Sequence, residues 1–134
     1  MQQPTFSHMA ALDHLLRYLS GTSGQGILVK GVDSLHLSVY SYSDWASYSM
    51  SRRSVTGYVV LLEKSPISWK SKKQSTVARS SAEAKYRAMA QAAAKITRLV
   101  SRLQELGVSK LKPIILHCDS QSALHIARNP FFHE

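Results

Sequence analysis

The chain has 134 residues, of which 44% are hydrophobic, and its 17 Lys and Arg residues against 8 Asp and Glu give a formal net charge of +9. This length and apolar content are sufficient for one folded domain with a core, and they exclude a chain that is disordered by composition. The longest apolar stretch, within residues 54–63, is far too short to span a bilayer.

The first predicted element is a helix over residues 6–21, where apolar residues recur at helical spacing and Gly21 is placed to end it. Residues 24–32 and 35–45 then predict two strands joined by a turn at Val32–Ser34. Residues 54–63 and 66–72 predict two further strands, with a turn near Glu63–Ser65.

Residues 80–106 predict one long helix that ends at Gly107. Residues 112–119 predict a strand with its proline at the start, where the missing N–H matters least. Residues 120–129 predict a short helix that stops at Asn129-Pro130. Antiparallel strands followed by a helix–strand–helix unit are typical of an α/β fold with a mixed sheet and helices packed on it.

Six ordered blocks of the sequence resemble one known family. They are "SDWAS", "SRRSVTGYVVLL", "PISWKSKKQ", "SSAEAKYRAMA", "HCDSQSA" and "NPFFHE". Together they resemble the ribonuclease H domain of copia-type LTR retrotransposon Pol polyproteins over residues 35–134, and six blocks at the family's spacing are very specific. Residues 4–21 resemble the tail of the reverse transcriptase that precedes this domain. The resemblance implies a connection segment over residues 1–23 and a ribonuclease H-like domain, C-terminally truncated, over residues 24–134.

The resemblance also implies a reaction and a cofactor. The family hydrolyses the RNA strand of an RNA–DNA hybrid, and its chemistry requires two Mg²⁺ ions held by four carboxylates. These acids stand on the first strand, on the long helix, at the end of the later strand and further downstream. Because Mg²⁺ prefers oxygen ligands, neither Lys nor Tyr replaces a bridging carboxylate.

When the family's sequence pattern is aligned without a gap, the acidic position on the first strand corresponds to Tyr42 of this chain. Asp44 then matches the family's second Asp. This alignment is favoured because it keeps Asp-Trp-Ala intact, whereas a gapped one makes Tyr42-Ser43-Asp44 the motif itself. Strand alternation places Tyr42 and Asp44 on one face, with Asp44 about 7 Å further along. Asp44 is therefore either a displaced ligand or a solvated neighbour of a lost one.

The family pattern has two acidic positions on the long helix, and in this chain they are occupied by Glu83 and Lys85. A helical wheel places position 85 with the apolar, sheet-facing residues and position 83 on the opposite side. The position that faces the metals is therefore occupied by lysine. The spacing Ser80-x-x-Glu83 predicts a capping box, which accounts for Glu83 without a metal.

The third acid, Asp119, is intact at the end of a predicted strand, and its alternative role is to cap the helix that follows. The fourth lies beyond Glu134. The candidates for catalysis and for metal binding are thus Asp44 and Asp119, with the other family acids replaced at Tyr42 and Lys85.

Basic residues flank two of the predicted strands and suit a nucleic-acid backbone, although a solvated rim accounts for them equally well. The candidates for nucleic-acid binding are Arg52, Arg53, Lys72, Lys73 and Arg79. Trp69 follows Ile67 at strand period, so we expect it in the core.

We expect a degenerate ribonuclease H domain without nuclease activity. One alternative is a weakly active enzyme that uses Asp44 and Asp119, and another is a non-catalytic nucleic-acid-binding module. The implied partners are an RNA–DNA hybrid or another nucleic acid and the reverse transcriptase domain of the parent polyprotein, without a membrane. The single cysteine, Cys118, and the lack of a predicted secretory signal lead us to expect an intracellular protein, cytoplasmic or nuclear.

Overall fold

A computed structural model describes residues 3–29, 31, 35–108, 111 and 113–129. Within these residues the chain forms helices and strands in the order α1, β1, β2, β3, α2, β4, α3. The helices are α1 (Phe6–Gly21), α2 (Ser81–Glu105) and α3 (Gln121–Arg128), and the strands are β1 (Leu37–Asp44), β2 (Val55–Leu62), β3 (Ser65–Lys73) and β4 (Ile115–Cys118).

The four strands form one sheet in the order β3-β2-β1-β4. β1, β2 and β3 are joined as antiparallel hairpins, whereas β4 lies parallel to β1 because the chain crosses over through α2. The structure therefore confirms the predicted mixed α/β fold, which is consistent with a ribonuclease H-like arrangement.

The core lies between one face of this sheet and α2. Leu37, Val39 and Val60 are fully buried on the sheet. The side of α2 that packs on them is a stripe with a spacing of four residues: Ala84, Ala88, Ala92, Ile96 and Val100. Small alanines bring the first half of α2 close to the sheet, and this close packing positions the start of the helix beside the strand ends.

Two predicted chain reversals are confirmed. Leu62 pairs with Ser65, so Glu63 and Lys64 form a two-residue hairpin loop in which Glu63 has a φ of 53°. At the end of α2, Gly107 has a φ of 83°, and the N–H of Val108 donates to the carbonyl of Leu103. Together with the bond from the N–H of Gly107 to the carbonyl of Gln104, this bond forms a Schellman motif, which requires the left-handed conformation that glycine adopts at least cost.

The predicted first helix is confirmed as α1, but its apolar side is uncovered. The six large apolar residues of α1, namely Phe6, Met9, Leu12, Leu15, Leu16 and Leu19, are between 39% and 91% exposed. α1 makes no contact with any other described helix or strand. No helix in the described part of the chain is both long and apolar enough to cross a membrane.

The predicted strand over residues 24–32 is wrong wherever the structure describes it. Residues 25–29 and 31 belong to no strand, and Ile27, Leu28 and Val29 are 50–72% exposed. A strand here was expected to pair with β1, but β2 and β4 occupy both edges of β1. The turn predicted at Val32–Ser34 lies outside the described residues.

The prediction that Trp69 lies in the core is also wrong, since Trp69 is 61% exposed. Val60 pairs with Ser68 and Leu61 with Pro66, so Ile67 is an extra residue on β3. This β-bulge reverses the alternation of side chains along the strand. Trp69 consequently pairs with Val59 and lies on the opposite face from the buried Val60.

Gln74 joins the sheet to the start of α2 through a buried amide. Its Nε2 atom donates to Thr56 Oγ1 on β2 at 3.0 Å and to the carbonyl of Ala84 on α2 at 3.0 Å. Its backbone N–H donates to the carbonyl of Ser54 at 2.8 Å. Gln74 is only 4% exposed, so water cannot readily replace these bonds if the amide is removed.

We expect Gln74→Ala to lower the free energy of unfolding by about 2–3 kcal/mol, because it leaves buried polar groups without partners and creates a cavity. Urea denaturation measures this change. The matched control is Gln91→Ala at an exposed site on α2, which should be neutral or slightly stabilising because Ala favours helix. Equal effects of the two substitutions would contradict the bridging role of Gln74.

Candidate functional site

The C-terminal ends of β1 and β4 meet the N-terminal end of α2 at one end of the sheet. Ser41 on β1 pairs with Cys118 on β4, which places Tyr42 and Asp119 next to each other at the following position of the two strands. Trp45 Nε1 donates to the carbonyl of Ala78 at 3.1 Å and so connects the end of β1 to the segment before α2. The structure therefore brings together Tyr42, Lys85 and Asp119, the three positions that sequence comparison singled out.

An ion pair occupies the centre of this site. Lys85 Nζ donates to Asp119 Oδ2 at 2.6 Å. The side chain of Lys85 is 19% exposed and that of Asp119 is 52% exposed. Lysine thus stands on the sheet-facing side of α2, as the helical wheel predicted, and its ammonium neutralises the carboxylate of Asp119.

Tyr42 lies beside the ion pair. Lys85 Nζ is 5.7 Å from the centroid of the Tyr42 ring, within the distance at which an ammonium is attracted to an aromatic face. Tyr42 is 56% exposed. The ring and the carboxylate therefore both interact with the same ammonium.

Asp44 lies away from this centre. It is the last residue of β1, pairs with Val55 and is exposed. A shallow pocket of about 300 Å³ is lined by Tyr42 and Asp119 but not by Asp44. Asp44 follows Tyr42 by two positions on β1, and its role as a ligand stays a prediction.

Glu83 forms helix-capping and ion-pair contacts. The N–H of Glu83 donates to Ser80 Oγ at 3.1 Å, which is the predicted capping bond. The reciprocal bond to the Glu83 carboxylate comes from the N–H of Arg79, one residue before the helix cap. The other carboxylate oxygen pairs with Arg87 Nη2 at 2.6 Å. Both oxygens of Glu83 are therefore engaged outside the site.

The alternative role of Asp119 as a helix cap is wrong. The cap of α3 is Ser120, whose Oγ accepts from the N–H of Ala123 at 3.2 Å. Asp119 instead directs its carboxylate to Lys85. Among the described residues, no group of three or more His, Cys, Asp or Glu side chains is placed to hold a metal.

Four of the five predicted nucleic-acid-binding residues lie together at this end of the sheet. Lys73 pairs with Val55, and its Nζ lies 3.8 Å from the centroid of the Tyr48 ring. The carbonyl of Arg53 accepts from the N–H of Tyr48 at 3.2 Å. Because Tyr48 also contacts Lys73, the loop that contains Arg52 and Arg53 lies beside the end of β3. We call Arg52, Arg53, Lys72 and Lys73 the basic cluster. The fifth residue, Arg79, is exposed just before α2.

Sequence reasoning missed an aromatic pair next to the site. The rings of Tyr40 and His117 stack with centroids 4.5 Å apart and an angle of 12° between their planes. Both residues line the pocket that also contains Tyr42 and Asp119. The alternation of side chains assigns Tyr40 and His117 each to one face of its own strand, but only the parallel register of β4 against β1 brings the two rings together.

The chain is similar over 99% of its length to retrovirus-related Pol polyproteins. It is 43% identical over 133 residues to the Pol polyproteins from transposons RE1 and RE2 of Arabidopsis thaliana, and 37% identical over 133 residues to that from transposon TNT 1-94 of Nicotiana tabacum. The chain spans only 9–10% of the length of these relatives. No family model and no solved structure matches the chain.

We expect Lys85→Met to lower the free energy of unfolding by less than about 1 kcal/mol, because the half-exposed Asp119 regains water when its partner is removed. A double-mutant cycle with Asp119→Asn, followed by urea denaturation, measures the coupling, which should weaken as salt rises. Lys95→Met on the same helix is the matched control, since no described carboxylate forms an ion pair with Lys95. No coupling at low salt would contradict the ion pair.

Proposed function

We propose that the chain is a ribonuclease H-like domain of a copia-type Pol polyprotein in which the metal-binding carboxylate cluster is lost, so that it does not cleave RNA–DNA hybrids. Similarity to Pol polyproteins over 99% of the chain and the order of the six sequence blocks support the domain assignment. The main observation that supports the proposed loss of activity is the 2.6 Å contact between Lys85 Nζ and Asp119 Oδ2.

The residues present do not fit a pair of Mg²⁺ ions. The family reaction requires several carboxylates around the metals, and Mg²⁺ accepts oxygen ligands in a nearly ideal octahedron. Here an ammonium lies on the remaining carboxylate and repels a divalent cation at the same place. Tyr42 stands at the position of a second carboxylate and presents an aromatic ring to the ammonium.

A weakly active enzyme that uses Asp44 and Asp119 is the competing hypothesis. It requires Asp44 to reach the metals from two residues further along β1, about 7 Å beyond the family position. It also requires Asp119 to release Lys85, and any help from Glu83 would break the contacts of that carboxylate with Arg79 and Arg87. Because the weakly active enzyme conflicts with the observed contacts in these ways, we favour the loss of cleavage.

We expect no Mg²⁺- or Mn²⁺-dependent cleavage of an RNA–DNA hybrid above the background of Asp119→Asn. A hybrid with an end-labelled RNA strand, resolved on a denaturing gel, measures this. Clear cleavage by the unmodified chain that Asp119→Asn abolishes would overturn the proposal and make Asp44 a working ligand.

We expect Tyr42→Asp with Lys85→Glu to restore Mg²⁺ binding, whereas each single change should do little because the groups of a metal cluster act as a unit. Calorimetric titration with Mg²⁺ and the Mg²⁺-dependent rise in melting temperature report binding without requiring turnover. The matched control is Tyr18→Asp with Lys95→Glu, which makes the same charge change away from the site. Equal Mg²⁺ effects in the two double variants would refute the assignment of positions 42 and 85.

Retention of nucleic-acid binding without cleavage is the second candidate function. It is favoured by the basic cluster, because the hairpin register and the contact of Lys73 with Tyr48 gather cations from two separate segments. A group of cations at one place attracts a phosphate backbone largely independently of sequence. The formal net charge of +9 has the same effect at longer range.

We expect the quadruple variant Arg52→Gln, Arg53→Gln, Lys72→Gln and Lys73→Gln to bind duplexes more weakly and to lower the slope of log affinity against log salt by about one unit per lost contact. Fluorescence anisotropy across a salt series measures both quantities. The control removes four charges elsewhere, through Arg17→Gln, Lys95→Gln, Arg98→Gln and Arg102→Gln. Equal losses in the two variants would mean that net charge, not the cluster, accounts for binding.

A further inference from the structure

The face of the sheet turned away from α2 is open. Tyr40, Tyr42 and Ile115 are 47%, 56% and 49% exposed on this face, and Trp69 joins them because of the bulge in β3. None of the described helices covers these side chains. We call this surface the open face.

Aromatic rings are arranged across the open face in register. Trp69 pairs with Val59, Val59 with Tyr40, and Tyr40 with His117, so the three rings form one row across all four strands. Neighbouring strands lie about 4.8 Å apart, which separates Trp69 from Tyr40 by about 10 Å. Several flat rings are thus accessible to one extended ligand.

Tyr42 adds a fourth ring next to this row and to the pocket. It pairs with Gly57, which has no side chain to cover the ring from the β2 side. On the other side lies the shallow pocket of about 300 Å³, lined also by Tyr40 and His117. Its volume is at the lower end of the range for small-molecule pockets, and a single planar ring system fits this space.

Cations flank the open face. Lys73 lies on it at the end of β3, opposite Val55, whereas Lys70 and Lys72 pair with Tyr58 and Thr56 and belong to the other face of the same edge strand. Of the carboxylates near the face, Asp119 is neutralised by Lys85, and Asp44 pairs with Val55, which pairs in turn with Lys73, so a cation lies at the same end of the face. The ligand of this face is therefore expected to carry negative charge as well as planar rings.

We propose that the open face binds single-stranded nucleic acid by stacking unpaired bases on Trp69, Tyr42 and the Tyr40–His117 pair. Base stacking on aromatic side chains combined with a positively charged border is the physical basis of sequence-tolerant binding to single strands. A duplex keeps its bases stacked on each other and offers only its backbone, so it cannot use these rings.

This proposal goes beyond the loss of hybrid cleavage and does not depend on it. It shares the lysines of β3 with the proposed duplex binding, but the rings add a preference that charge alone does not give. The two can therefore fail separately: the charge variants affect single strands and duplexes alike, whereas the ring variants affect single strands alone.

The test compares a labelled twelve-nucleotide oligo(dT) with a labelled DNA duplex of twelve base pairs, in EDTA, by fluorescence anisotropy. We expect the single strand to bind more tightly, and Trp69→Ala, Tyr42→Ala and His117→Ala each to weaken its binding about fivefold to a hundredfold, with duplex affinity unchanged. The matched control is Tyr18→Ala on α1, where an aromatic residue that is 64% exposed lies outside the face.

A second measurement keeps the proposal testable if a ring variant fails to fold. In the background Trp45→Phe, oligo(dT) should quench the fluorescence of Trp69, and the duplex should not. Equal affinity for single strand and duplex, or no effect of the ring variants, would overturn the proposal. So would a dimer that both Leu16→Glu and the ring variants dissociate, since that outcome assigns the open face to α1 of a second copy.

Discussion

The parallel pairing of β4 with β1 is the constraint on which the site depends. It sets Tyr42 beside Asp119 and Tyr40 beside His117, although about 77 positions of sequence separate the members of each pair. The crossover through α2 that this pairing requires also brings Lys85 to the same end of the sheet. The bridging amide of Gln74 then fixes the start of α2 against β2.

The ion pair between Lys85 and Asp119 gives this end of the sheet an electrostatic character different from that of a carboxylate cluster. A set of converging carboxylates repels itself until divalent cations are bound, whereas here a cation is supplied by the chain itself. The charge of the Asp119 carboxylate is therefore balanced by a cation of the chain itself. Neither ion pair of the described residues involves a cation of the basic cluster, so these charges are available to a polyanion.

Much of the candidate site could be predicted from the sequence because its parts are local. The helical wheel put position 85 toward the sheet, and strand alternation put Tyr42 and Asp44 on one face with Asp44 displaced. The capping role of Glu83 followed from its spacing to Ser80, although the reciprocal bond comes from Arg79.

By itself, the sequence determined the helices, the four strands and the β2–β3 hairpin, since periodicity and turn residues act over a few positions. Only the tertiary structure decided that residues 25–29 lie outside the sheet, because β2 and β4 pair with the two edges of β1 and leave neither edge to another strand. It likewise decided that Trp69 turns outward and that Tyr40 stacks on His117, because a bulge and an interstrand register are set by contacts between strands, which no single segment contains.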